Sequence, residues 1–354
     1  MIIQPPLSLG LIFPPSHAQF SYNRAYCMLL THAYRASNFL SLRATQTRRF
    51  TMATAEPTFK PFTLALVQLG QVGGDKAANL RHAREMVIKA ANGEGHSKKP
   101  QLVVLPECFN SPYGHVHFPK YAEVIGYKPG ESFDVAKSES ESVKMLSSVA
   151  KEKGIWLLGG SIPEKGTDGK VYNTSTVYSP QGDLVAIHRK VHLFDIDIPG
   201  KITFKESETL TGGSSVNHFD TDFARIGLGI CYDVRFPELA MTNARQGCQV
   251  LIYPGAFNLT TGPLHWELLQ RARAVDQQVF FSMCSPARDL SAGYHAWGHS
   301  MVVDPMGKIL AEAKEGEEII YADIDPQVFT DARSGIPVTR QRRFDVYPDV
   351  STGL

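Results

Sequence analysis

The sequence predicts an α/β fold with a mixed sheet, or two sheets with helices on their outer faces. Three observations carry this. Short apolar, β-branched runs alternate with amphipathic stretches from residue 62 onward. No linker-like stretch and no internal repeat interrupts them, which argues for a single domain. Several of the apolar runs are short, two-sided and joined by tight turns, a connection that antiparallel neighbours permit and parallel ones do not.

Taken in order, residues 63–69 form a β-rich apolar run followed by the Gly73-Gly74 turn. Asp75 is placed to cap a helix to about residue 91, with Leu80, Ala83, Val87 and Ala90 on one face. Asn92-Gly93-Glu94-Gly95 breaks that helix, and residues 101–105 read as a second buried strand stopped by Pro106. A long loop over 107–133, rich in Pro, Gly and aromatics, follows; such loops inside compact domains are typically functional. Residues 138–153 predict a helix closed by Gly154, and 155–159 a strand. Residues 172–178 and 184–188 predict a hairpin across Ser179-Pro180-Gln181-Gly182. A second long loop spans 190–215.

Residues 226–230 then form an apolar strand with glycine at every second position, ending at Cys231. Pro237 and Glu238 suit the first turn of a helix over 236–246. A strand at 250–253 and a helix at 263–277 come next. Strands follow at 279–283, 300–304, 309–313 and 318–323, with a Pro305-Met306-Gly307 turn between two of them. From Pro326 onward the chain shows little clear pattern.

Composition bounds the function. The 354 residues are 43% hydrophobic and 20% charged with a net charge of +1, a balance that points to neither a nucleic-acid nor a membrane partner. The five cysteines are odd in number and widely spread, with no Cys-x-x-Cys pair, so neither a disulfide framework nor a structural zinc site is indicated. Residues 1–55 differ from the rest. They contain no Asp or Glu, their only strongly basic residues are the arginines Arg24, Arg35, Arg43, Arg48 and Arg49, and Ser and Thr are plentiful. That is the composition of an organelle transit peptide, and Pro5, Pro6, Pro14 and Pro15 favour a chloroplast over a mitochondrial address. Translation from Met52 would leave a cytosolic form. The globular domain is expected over 56–354.

Chemistry gathers where strands end. Glu107 follows Leu102-Val103-Val104-Leu105-Pro106, Lys190 follows the hairpin strand through Arg189, and Cys231 stands at a strand-to-helix elbow, where backbone N–H groups favour a thiolate. A carboxylate to take the thiol proton, a thiolate to attack a carbonyl carbon and an ammonium to hold the oxyanion make a working set. Each residue alone has a plainer reading: a surface carboxylate, a solvated Arg-Lys pair, and a small buried hydrophobe.

Together, Leu105-Pro106-Glu107, His188-Arg189-Lys190-Val191-His192-Leu193-Phe194 and Gly229-Ile230-Cys231-Tyr232-Asp233-Val234-Arg235-Phe236-Pro237-Glu238 resemble the Glu, Lys and Cys motifs of the nitrilase superfamily, in the right order. The resemblance covers about residues 62–345 and implies a four-layer αββα sandwich of two mixed sheets with helices outside. It makes Cys231 the nucleophile, Glu107 the general base and later acid, and Lys190 with the Tyr232 backbone N–H the oxyanion donors. Glu206 matches the second active-site glutamate. It implies a homodimer and no metal or organic cofactor.

The stretch from Lys190 to Ser207, together with Glu107-Cys108-Phe109-Asn110-Ser111-Pro112-Tyr113-Gly114, resembles the ω-amidase branch, here as a plant organellar form. That branch hydrolyses the side-chain amide of small α-keto acids such as α-ketoglutaramate and α-ketosuccinamate. Tyr113 and Arg235 are the candidate substrate anchors, the guanidinium because it suits a carboxylate bidentately. The alternatives are an N-carbamoyl amine hydrolase or nitrilase of the same superfamily, a papain-like hydrolase using His295 or His299, a metal amidohydrolase built on His115-x-His117, and a scaffold of this fold that has lost activity.

Overall fold

Every strand that reads as a solid apolar run proves to be buried on both faces, and that dictates the layering. The structure is a computed structural model that describes residues 57–200, 202–347, 349 and 351. The predicted transit segment, 1–55, lies outside the described residues.

The first half of the chain forms β1 (Phe62–Gln68), α1 (Lys76–Asn92), β2 (Leu102–Val104), α2 (Phe118–Tyr121), α3 (Glu141–Lys153), β3 (Trp156–Lys165), β4 (Val171–Tyr178) and β5 (Leu184–Arg189). A small hairpin follows, β6 (Asp195–Ile198) and β7 (Ile202–Lys205). The second half forms β8 (His218–Asp220), β9 (Arg225–Leu228), α4 (Pro237–Arg245), β10 (Val250–Pro254), α5 (Gly262–Gln277) and β11 (Phe280–Cys284). It ends in β12 (Met301–Val303), β13 (Ile309–Glu312), β14 (Glu318–Ile324), α6 (Pro326–Gly335) and α7 (Val338–Gln341).

One sheet runs β14-β1-β2-β3-β4-β5 and the other β13-β12-β11-β10-β9-β8. Both share one plan: three central parallel strands, two antiparallel strands beyond them on one side and one on the other. Alternation along each central strand builds the layers. Leu64 and Leu66 of β1 meet Val250 and Ile252 of β10 in the core between the sheets. Ala65 and Val67 face the other way, onto Leu80, Val87, Val143 and Leu146 of α1 and α3. Leu251 and Tyr253 likewise pack onto Leu239, Trp266 and Ala274 of α4 and α5. The result is helix, sheet, sheet, helix, the four-layer sandwich expected from the resemblance.

Local signals hold where expected. Asp75 accepts from the Ala78 N–H at 3.1 Å to start α1, and Gly93 ends it at φ +75°. Ser140 caps α3, which begins at Glu141, three residues later than predicted, and Gly154 ends it in the left-handed region.

Several expectations needed correction, and the loop 107–133 is one of them, since it contains α2. The loop 190–215 is not all irregular: it contains the β6–β7 hairpin and a 3₁₀ turn, Glu206–Glu208. Its alternation, Asp195-Ile196-Asp197-Ile198, is short and half exposed, so it carries little hydrophobic signal. The tail beyond Pro326 forms α6, capped by Asp325 with Pro326 at its first turn. Strand β3 runs past residue 159 through a bulge at Gly159-Gly160.

Candidate active site

The β3 bulge aims the first functional group. Gly160 sits at φ +61°, and a Cβ there would stand 2.0 Å from the Pro106 carbonyl oxygen. That close approach lets the Ser161 N–H bond the Pro106 carbonyl at 3.2 Å, while Ser161 Oγ accepts from the Cys108 N–H at 3.0 Å. Glu107, between these anchors, is turned inward and buried.

Lys190 leaves the end of β5 and is completely buried. Its N–H donates to the Asn173 carbonyl and its carbonyl accepts from Gly213, both at 2.8 Å. Its Nζ stands 3.1 Å from Glu107 Oε1 and 2.9 Å and 2.8 Å from the two oxygens of Glu206. Glu206, from the 3₁₀ turn after β7, also accepts from the Phe194 N–H at 2.8 Å and from the Tyr113 hydroxyl at 3.3 Å.

Cys231 opens a 3₁₀ turn, Cys231–Arg235, between β9 and α4, and its φ is +48°. A non-glycine residue in the left-handed region is strained by about 1–3 kcal/mol, and such strain collects at functional elbows. The elbow is held from behind. Asp233, fully buried, accepts from the Ile230 N–H at 2.9 Å with one oxygen, and from the His192 N–H and Nδ1 at 2.9 Å and 2.8 Å with the other. One carboxylate thereby ties the cysteine elbow to the lysine loop. The glycines before Cys231 serve packing. A Cβ on Gly229 would strike the Tyr253 ring at 2.4 Å, and one on Gly227 would strike Leu251 and Asn243.

The electrostatics follow from burial. Burial lifts the Glu107 carboxyl above its ordinary 4.5, the Glu206 charge adds to this, and Lys190 opposes it. Burial alone would lower Lys190, but Glu107 and Glu206 outweigh it and hold the ammonium well above the lysine range. Burial, then the Glu107 charge, pushes the Cys231 thiol well above 9.0, against the pull of Lys190 and the Ala256 backbone N–H. The resting nucleophile is therefore a thiol. Glu107 Oε2, buried without an ordinary hydrogen-bond partner, belongs to a carboxyl whose titration the Cys231 thiol lowers by hydrogen bonding.

A cavity of about 340 Å³ reaches Glu107. Tyr113, Phe204 and Tyr294 are among its walls, with the Tyr113 and Tyr294 rings 4.3 Å apart. Cys231 is only 3% exposed and is not part of the wall, but a thiolate there would add to the burial that raises both tyrosine hydroxyls. A groove of about 620 Å³ beside Glu164 and Arg189 is larger, but those two side chains are paired with each other at 2.7 Å.

The structure brings Glu107, Lys190, Glu206, Cys231 and Tyr113 into one cluster. Arg235 stands apart from the cavity wall, half buried, its guanidinium over the rings of Tyr232 and Phe257 and its Nη1 3.1 Å from His265 Nδ1. It forms no ion pair with Asp233 or Glu238. His299 faces Glu312 at 3.2 Å, and neither it nor His295 lines the cavity. Among the described residues no group of His, Cys, Asp and Glu is placed to hold a metal. Cys108 lines the cavity and lies 4.0 Å from Ser161 Oγ, while Cys248 and Cys284 are core residues.

Sequence reasoning missed Asn173, whose Nδ2 donates to Glu107 Oε1 at 2.8 Å. It also missed Tyr294, whose hydroxyl donates at 2.5 Å to the carbonyl of Ala256, the residue whose N–H supports the Cys231 sulfur. Asn173 lies mid-strand and Tyr294 in a loop between strands, so neither stands at the strand ends where candidates were sought.

Comparison with known proteins agrees with the fold. Residues 63–334 match the family model described as carbon-nitrogen hydrolase. The chain is 55% identical to mouse omega-amidase NIT2 over 286 residues, 81% of this chain and 96% of that protein. It is 52% identical to Saccharomyces cerevisiae omega-amidase NIT3 over 302 residues, 85% of this chain and 99% of that protein. The crystal structure of S. cerevisiae Nit3, a member of branch 10 of the nitrilase superfamily, superposes with a TM-score of 0.71 at 50% identity, covering 80% of this chain and 97% of that one. With the buried Glu–Lys–Cys cluster on an αββα frame, these likenesses place the chain in the carbon–nitrogen hydrolase family of the nitrilase superfamily.

Proposed function

We propose that this hydrolase is an ω-amidase that converts α-keto acid ω-amides, α-ketoglutaramate and α-ketosuccinamate, to the dicarboxylate and ammonia. One observation carries the reading: a buried thiol, carboxylate and ammonium meet beside a small cavity, in a chain more than half identical to two omega-amidases.

The geometry supports the following roles. Glu107 takes the Cys231 proton as the sulfur attacks the amide carbon, and the carbonyl electrons move onto oxygen. Lys190 and the Tyr232 N–H, near the start of the 3₁₀ turn, stabilise that oxyanion. Collapse expels the amine, protonated by Glu107, and leaves a thioester. Water, deprotonated by the same carboxylate, then hydrolyses the thioester and restores the thiol. Glu206 keeps Lys190 charged and in place.

Tyr113 shapes the cavity and steadies Glu206. Arg235 lies outside the cavity wall, but it is a half-buried guanidinium near enough to Cys231 to feel a charge there, which supports it as the anchor for the substrate carboxylate at the cavity's inner end. The test is kcat/KM on α-ketoglutaramate, with carbamoylputrescine and a simple nitrile in parallel. Turnover of the ω-amide that is lost in Cys231→Ala supports the assignment; preference for either alternative substrate overturns it.

We further propose a homodimer and a chloroplast address. An apolar stripe on α5, Leu264, Leu268 and Val275, exposed by 60%, 61% and 47%, supports docking of a second copy through helices. The acid-free, arginine-bearing segment 1–55 supports the address. A fusion of residues 1–55 to a fluorescent reporter that stayed in the cytosol would remove it. No helix among the described residues is long and apolar enough to cross a membrane.

A further inference from the structure

We infer that Asn173 selects which oxygen of Glu107 carries the catalytic proton, acting as a positioning residue through that carboxylate. The inference rests on the role of Glu107 as general base. Its two oxygens stand in unequal surroundings. Oε1 accepts from Asn173 Nδ2 at 2.8 Å and from Lys190 Nζ at 3.1 Å. Oε2 is buried and accepts from neither of these donors, and the Cys231 thiol is the remaining hydrogen-bonding neighbour of the carboxyl. An oxygen holding two N–H donors is stabilised as an acceptor and is the poorer base, so a proton arriving on Glu107 goes to Oε2.

Asn173 is fixed for this task. It lies on β4, 1% exposed, and its own carbonyl accepts from the Lys190 N–H at 2.8 Å. A single residue thus holds the carboxylate by its side chain and the lysine backbone by its main chain. Turning the amide over would put its Oδ1 against Glu107 Oε1, acceptor against acceptor, so the carboxylate itself sets the amide orientation.

In the forward step the S–H bond of Cys231 breaks and an O–H bond forms at Oε2, while the sulfur pair attacks carbon. On collapse the C–N pair returns to nitrogen, which takes the Oε2 proton and leaves as ammonia. Lys190 alone would leave the carboxylate free to swing about a single ammonium contact. Asn173 removes that freedom.

Asn173→Ala deletes the donor but keeps the strand and its bond to the Lys190 N–H. Two readouts apply: the pH profile of kcat/KM on α-ketoglutaramate, and the pH dependence of Cys231 alkylation by iodoacetamide, which requires no turnover. The expected result is a loss of kcat of about tenfold to a hundredfold with KM nearly unchanged. The acid limb of both profiles should move up by about half a unit to one unit, because the charged carboxylate has lost a donor. Asn173→Ser, whose hydroxyl can donate, should show a smaller shift, and it supplies the same readouts if the alanine variant does not fold. Unmoved acid limbs in a folded variant, or a loss confined to KM, overturn the inference. Should the wild type not hydrolyse ω-amides, the substrate assignment fails separately, and the alkylation profiles alone decide the role of Asn173.

Discussion

Glu107 is the residue whose surroundings decide the pH behaviour of the site. Its carboxyl is raised by burial, so its ionised fraction falls as pH drops through a value above the usual carboxylate range. Lys190 is held well above the lysine range and keeps its charge at neutral pH. The rate of acylation should therefore be lost on the acid side, with a midpoint above 4.5, while the lysine imposes no basic limb near neutrality. Glu107→Gln should lower kcat/KM by about a thousandfold or more and abolish the acid limb. A pH–rate profile of the two proteins checks both. Retained activity in the glutamine variant would return the base to a histidine.

At the scale of elements, a second buried carboxylate ties the cavity loop to α3. Glu123 accepts from Asn110 Nδ2 at 3.0 Å, from the Ser140 and Ser142 hydroxyls at 2.6 Å and 2.7 Å, and from the Ser142 N–H at 3.1 Å. Lys76 of α1 lies 3.4 Å away. Burial raises its pKa, but these donors together outweigh burial and leave it below 4.5. A carboxyl depressed in the folded state contributes stability that is present above its unfolded pKa and lost as pH falls through the folded one. Glu123→Gln should cost about 2–3 kcal/mol near neutral pH, since hydrogen bonds to a charged group are the strong ones. It should also flatten the fall in stability below about pH 4.5. Urea denaturation at several pH values measures both, and equal losses at every pH would assign the effect to packing alone.

For the whole molecule, the exposed side of α5 sets the expectation. Leu264, Leu268 and Val275 lie at helical spacing on one face, and Met306 in the β12–β13 turn is exposed as well. Leu264→Arg with Leu268→Arg should convert a dimer to a monomer without unfolding it, because both side chains already face solvent in the single chain. Light scattering after size exclusion gives the mass directly, and an unchanged dimer would move the interface elsewhere.

Much of this protein is legible in its sequence because the signals are local. Two-sided burial writes strands β1, β2, β9 and β10 as apolar runs, and Asp75, Gly93 and Gly154 mark helix ends through their own side chains and backbone freedom. Glu107, Lys190 and Cys231 stand at strand ends within recognisable flanks, so the chemistry was readable before the fold was. What only the tertiary structure decided depends on groups far apart in the chain. The Gly160 bulge that turns Glu107 inward acts across two strands, Asp233 joins the cysteine elbow to the lysine loop, and Asn173 reaches Glu107 over 66 positions. Which oxygen of Glu107 is left free, and how far burial shifts its titration, are properties of that assembled surrounding. Sequence names the reacting groups, whereas desolvation and hydrogen-bond geometry, which exist only once distant strands pack, determine how they react.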